Sequence, residues 1–189
     1  MTEKEIIQGC IDQDRRSQNA LYKLYFPLMS SIGLRYTQSK DEALQGLNFG
    51  FLKVLQNIEK YNAEFALATW IRNIMVRHFI DELRKNKSRL LLIVNVDTND
   101  EKCQLNLNEG EEKMDADYLR EVLNKLDEPM KAIFCMHAID GFKHKEIAKK
   151  FEITEGTSRW YVNKARTILK NKLEENQTYE SQQMNRRAR

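Results

Sequence analysis

The sequence is poor in the residues that punctuate sheets and cross-link small domains. Seven glycines and two prolines in 189 residues are few for a protein of many strands and tight turns. Leu, Lys, Glu, Ile, Gln and Asn are abundant instead, which favours helices. The three cysteines, Cys10, Cys103 and Cys135, are far apart, odd in number and without CxxC spacing. That argues against structural disulfides and a cysteine zinc site, and fits a reducing compartment. No apolar run approaches a membrane span, and MTEKEIIQGC lacks the basic-then-apolar layout of a secretion signal. The expectation is a helical protein of the cytoplasm, with no membrane insertion. The three histidines show no metal-ligand spacing, and neither a phosphate-binding glycine loop nor a Cys/His pair is present. No cofactor, metal or catalytic residue is therefore expected, and an enzyme finds little support.

What is present is charge laid out in blocks. Residues 69–89 carry six basic residues (Arg72, Arg77, Arg84, Lys85, Lys87, Arg89) against two acidic ones. Residues 95–121 carry nine acidic against three basic, and residues 142–172 carry nine Lys/Arg against three Glu. Two basic blocks around an acidic one suggest two surfaces for a polyanion, joined by a segment that avoids it.

From Asp14 to about Lys87 the pattern is helical, with breaks expected at Pro27, around SKDE (39–42) and around EKYNAEF (59–65). Within 67–85, Ile71, Ile74, Met75 and Phe79 form one apolar stripe containing His78, read as a packed core residue. Asn73, Arg77 and Arg84 form a separate polar stripe, with Trp70 and Ile80 at its edges. LLLIVNV (90–96) reads as a short strand or the end of a helix. The polar, acidic, aperiodic stretch after it reads as a linker.

Helices resume at Asp115, where Leu119, Val122, Leu123 and Leu126 share a face. Pro129 opens the next helix, with Met130, Ile133, Phe134 and Ala138 as its apolar face. After Asp140-Gly141 come a short helix, HKEIAKKF, a three-residue break, EIT, and a last helix from about Glu155 to Leu173, followed by a fraying tail.

A short helix, a tight turn and a longer helix rich in Arg, Lys and Asn is the plan of a helix-turn-helix. Ala148 is small where the helices cross, and Ile147, Phe151 and Ile153 wedge them apart. Thr154 caps the second helix, and Gly156 and Thr157 leave its start open to a phosphate. On that helix Ser158, Tyr161, Val162, Ala165, Ile168 and Leu169 gather in one arc, the core face. Arg159, Trp160, Asn163, Lys164, Arg166 and Lys170 lie opposite. Tyr161 therefore goes inward and Trp160 outward, where a base edge, a thymine methyl or a sugar can meet it.

HAIDGFKHKEIAKKFEITEGTSRWYVNKARTILK strongly resembles the C-terminal promoter-binding domain of bacterial RNA polymerase sigma factors of the extracytoplasmic-function (ECF) class. LNKLDEPMKAIF resembles the helix pair before it. The stretch from ALYKLYFPLM to FIDELRKNK, with FLKV, the TW-I-R core and ID-LRK, is similar to that family's N-terminal domain. The resemblance covers about residues 18–173.

It implies an all-α fold: a domain over 1–89, an acidic linker over 90–114, a helix-turn-helix domain over 115–175 and a polar tail over 176–189. It implies core RNA polymerase as partner, through the β′ clamp helices and β flap, with promoter DNA and an anti-sigma protein as further partners. By position, Gln45, Leu47, Asn48 and Lys53 would face polymerase. Asn73, Arg77, Asp81, Arg84 and Lys85 would lie by the minus-ten strand, and Thr157, Arg159, Trp160, Asn163, Lys164 and Arg166 would serve the minus-thirty-five element.

The chain departs from the family pattern in four places. Gln45 and Phe49 stand where carboxylates are common, and Lys143 where a Ser or Thr would cap the first motif helix. Glu152 replaces the usual turn glycine, and Arg77 a frequent asparagine. The competing reading is a stand-alone helix-turn-helix regulator. It should dimerise on a palindromic site, yet no dimerisation helix remains once 18–87 form their own domain.

Overall fold

A computed structural model describes residues 1–85 and 121–187, with side chains through residue 172. The chain forms two compact units, Met1–Lys87 and Ser88–Arg189. The described residues are helical, without strands. The sequence expectations for residues 86–120, including LLLIVNV, the linker and Leu119, lie outside the described residues.

The first unit is built from four helices. α1 (Glu3–Ile11) was not anticipated, although its start is written in the sequence. The Thr2 hydroxyl accepts from the Glu5 N–H while the Glu5 carboxylate accepts from the Thr2 N–H, a reciprocal cap spelled T-x-x-E. Its buried side, Ile6 and Cys10, packs on α2 (Arg15–Tyr36). The Asp14 carboxylate caps α2 by accepting from both the N–H and the hydroxyl of Ser17.

Pro27 lies inside α2 and does not break it, contrary to expectation. Proline forfeits one bond, to the carbonyl four residues back. Both Pro27 and that residue, Lys23, are exposed, so water can take the freed carbonyl.

α3 (Lys40–Gln56) starts at its Ser39 cap, where a break was expected. After a 3-10 turn at Ile58–Lys60 and an irregular stretch, α4 (Leu67–Lys85) closes the unit. α4 buries Ile71, Met75, His78 and Phe79 as expected, and also Val76, Ile80 and Leu83. It is covered on two sides, by α2 and α3, so its apolar surface is wider than one stripe.

Gly46 and Gly50 in α3 make that packing possible. A β-carbon at Gly50 would sit 2.6 Å from Met75 Sδ, and one at Gly46 would run into the Phe79 ring. The GLNFG stretch is thus a close helix crossing, and its glycines are explained by it.

In the second unit Val122, Leu123 and Leu126 are buried ahead of α5 (Glu128–Ala138). The Asp127 side chain caps α5 and Pro129 lies in its first turn. Met130, Ile133 and Phe134 are buried, but Ala138 is exposed because the helix ends there. Gly141, at φ 76°, turns the chain into α6 (His144–Phe151), and Glu152 leads on to α7 (Glu155–Arg187). α7 runs past Leu173 to Arg187, so the tail expected to fray continues the helix. α5 and α6 both pack against α7.

Candidate nucleic-acid interface

The turn between α6 and α7 sets how α7 is presented. Glu152 sits in the left-handed region, φ 57° and ψ 39°, at the C-cap of α6. A side chain there costs on the order of 1 kcal/mol relative to glycine. At the other end of α6, Lys143 offers no side-chain cap, and the Glu146 carboxylate takes over by accepting from the Lys143 N–H at 2.9 Å. Ile147 and Ala148 fill the crossing with α7.

Thr154 caps α7, its hydroxyl oxygen accepting from the Thr157 N–H at 3.0 Å. The two threonine hydroxyls meet at 2.9 Å. Thr157 is consequently buried, 3% exposed, although it was expected to serve the minus-thirty-five element from an open helix start. Its hydroxyl is committed to the cap, and its place on α7, one turn before Tyr161, keeps it beside the core face.

The rest of the projection of α7 matches the observed burial closely. Ser158, Tyr161, Val162, Ala165 and Leu169 are buried, with Ile168 half-buried. Arg159 and Lys164 are exposed, and Trp160, Asn163 and Arg166 are half-buried on the other side. Trp160 leans edge-on against Tyr161, centroids 5.1 Å apart. Arg159 reaches back to Glu155 at 3.1 Å, with both side chains about half in water. So exposed an ion pair holds the guanidinium weakly, and Arg159 can leave it for a stronger anion. The Nε of Arg166 is buried without a protein hydrogen-bond partner.

On α4, Asn73, Arg77 and Asp81 follow one another at four-residue steps, with Arg84 and Lys85 one turn on. Arg77 and Lys85 are exposed and the other three half-buried. Lys85 pairs with Glu82 at 2.7 Å, which lowers the Glu82 pKa and raises that of Lys85. Beneath this stripe His78 is 3% exposed, and burial followed by the nearby Lys53 charge pushes its pKa down. It is a core residue, as expected. Trp70, at the stripe's upper end, packs edge-on against Tyr61 at 5.5 Å.

α3 presents Gln45 and Asn48 outward, with the Asn48 amide oxygen accepting from the Tyr22 hydroxyl at 3.1 Å. Lys53 is half-buried. Leu47 is 1% exposed, a core residue rather than a surface one, because α3 turns that side toward α2 and α4. Sequence reasoning overlooked how apolar the outward face is: Leu44 (47% exposed), Phe49 (56%) and Leu52 (50%) stand among the amides. Large apolar residues at helical spacing with no place on the buried face were the available signal.

Residues 21–89 match the family model for Sigma-70 region 2, and residues 116–169 match that for Sigma-70, region 4. The chain is similar to the ECF RNA polymerase sigma-E factor of Haemophilus influenzae, with 21% identity over 183 residues. That alignment covers 92% of this chain and 96% of the relative. Among solved structures it is similar in fold to the sigma factor RpoE of Bartonella quintana, co-crystallised with the anti-sigma factor NepR. The TM-score is 0.51 at 17% identity, covering 82% of this chain and 96% of that one.

Proposed function

This chain belongs to the sigma-70 family, in its ECF class, and is a sigma factor that directs transcription initiation; we propose the following division of that work among its surfaces. The C-terminal unit reads the minus-thirty-five element through α7. Arg159, Trp160, Asn163 and Lys164 enter the major groove, and Arg166 lies beside them. Arg and Asn suit guanine and adenine edges, and an indole offers apolar contact to a thymine methyl or sugar. The observation that carries this is the sorting of α7 into a buried face and a polar, cationic one.

The N-terminal unit holds the minus-ten strand along Asn73, Arg77, Asp81, Arg84 and Lys85, where cationic side chains follow the backbone. Trp70 and Tyr61 supply aromatic surface at the end of that stripe. Core RNA polymerase docks on the outward face of α3, where Gln45 and Asn48 stand among Leu44, Phe49 and Leu52, with Lys53 at the margin. An exposed apolar cluster rimmed by amides supports a protein-binding role. Apolar contact there takes the place of the carboxylates that Gln45 and Phe49 replace. Leu47 supports this face from beneath.

The domain limits follow the same division: 1–89, a linker over 90–114, 115–175, and a tail. The chain works by binding rather than catalysis, in the cytoplasm where polymerase and promoter are found. An anti-sigma protein is a further partner, as the relative from Bartonella quintana has one. The described helices include none long and apolar enough to cross a membrane.

Run-off transcription with core polymerase over a promoter library tests the proposal. Initiation from promoters that core alone ignores is expected. Tight dimeric binding to a palindromic duplex, with core polymerase unaffected, would favour the stand-alone regulator.

A further inference from the structure

α5, α6 and α7 meet at a polar point that the DNA-reading face does not use. His137, in the last turn of α5, has its Nδ1 3.0 Å from the Phe142 carbonyl oxygen. A carbonyl only accepts, so His137 carries a proton on Nδ1. His144, the first residue of α6, stacks on it with centroids 4.0 Å apart and planes 27° from parallel. The Nδ1 of His144 is 3.0 Å from the Ser158 hydroxyl, and Ser158 is fully buried on the inward face of α7. The two imidazoles thereby join α5, α6 and α7 in one chain of contacts.

Most of what surrounds His144 opposes a charge on it. Burial comes first, then the facing His137 of α5, then Arg159 of α7, with Arg166 of α7 also adverse; only Glu155 of α7 acts the other way. The result is a His144 pKa pushed down to about 4.

We propose that the His137–His144 stack, anchored on Ser158, is a proton-sensitive latch that positions the DNA-reading helix. His144 is a positioning residue: it touches no DNA and acts through Ser158. While His144 is neutral, Ser158 and Nδ1 share one hydrogen bond and the rings stack. Proton uptake puts a cation in a buried place against His137 and two arginines, with Glu155 alone to offset them. An imidazolium donates from both ring nitrogens, so the Ser158 hydroxyl can only accept from Nδ1, and the rings are driven apart. α7 then loses this polar tie to α5 and α6, while its apolar contacts with them remain, and its outward face is held less firmly. The inference rests on the fold of the second unit and stands or falls independently of which bases α7 reads.

The test uses the full chain with Trp70→Phe, which leaves Trp160 on α7 as the one tryptophan. Trp160 emission, histidine ring NMR shifts and far-UV circular dichroism are followed from about pH 7 down to about pH 3.5, below the ordinary histidine range. The expected result is a Trp160 transition that tracks the His144 ring while helical content persists. His144→Asn, which keeps a hydrogen-bonding side chain and cannot titrate there, should move or remove that transition. His137→Phe, which keeps a stacked ring without a charge, should raise the His144 midpoint. An unchanged Trp160 midpoint in His144→Asn overturns the proposal, as does loss of helix and Trp160 signal together at one midpoint. Should the Asn variant fail to fold, the His137→Phe comparison decides, and an unmoved His144 midpoint sinks the latch.

Discussion

Trp160 and Tyr161 meet edge to face with their planes at 82°, yet only Tyr161 belongs to the core, where it is 3% exposed. The pair separates stability from recognition on one helix. Tyr161→Ala should destabilise the C-terminal unit by about 3 kcal/mol, the scale of a large aromatic deleted from a packed core. Trp160→Ala should cost less, about 1 kcal/mol of stability, being only partly buried, while weakening promoter binding. Urea unfolding and duplex binding of both variants check this, and equal stability losses would contradict it.

Arg159→Ala should weaken minus-thirty-five recognition selectively, by about 1–3 kcal/mol if the guanidinium makes a bidentate base contact. The same loss on every DNA sequence would place Arg159 on phosphate instead. Glu155→Gln releases the exposed tether at 3.1 Å and should strengthen duplex binding at low salt. Binding titrations over a set of duplexes at two salt concentrations distinguish these outcomes.

Gly50→Ala should destabilise the N-terminal unit by about 1–3 kcal/mol, because the new methyl group meets Met75 in a filled interior. Met75 is flexible, which places the cost toward the lower end. Thermal unfolding of the variant measures it.

Glu152→Gly should stabilise the C-terminal unit by about 0.5–1 kcal/mol, by relieving a non-glycine residue at φ 57°. A loss of stability in urea unfolding would show that the contacts of the Glu152 side chain outweigh its backbone strain.

Asp14 gives the N-terminal unit a pH dependence. Its hydrogen bonds from Ser17 hold the carboxyl below the usual aspartate range. A depressed folded pKa means the contribution is fully present above the unfolded value, roughly 3.9, and is lost as pH falls through the folded value. Asp14→Ala should lower stability at neutral pH and flatten its acid dependence. Melting temperatures across acidic pH check both.

Much of this molecule is decided by local sequence. The 3.6-residue period sorted the α7 side chains into an inner and an outer face, since each helix carries its own inside and outside before it meets a neighbour. Thr2, Asp14, Ser39, Asp127 and Thr154 cap helices through bonds three residues long, and these are equally local. Tertiary packing decided the rest. Pro27 remains in its helix on an exposed face, where water can take the carbonyl it frees, which no local pattern states. Leu47 is interior and Leu44, Phe49 and Leu52 are not, because burial depends on where α2 and α4 lie. His137, His144 and Ser158 come from three different helices. Only the fold stacks the two rings and brings His144 within a hydrogen bond of Ser158, since periodicity describes one helix at a time and contact requires two.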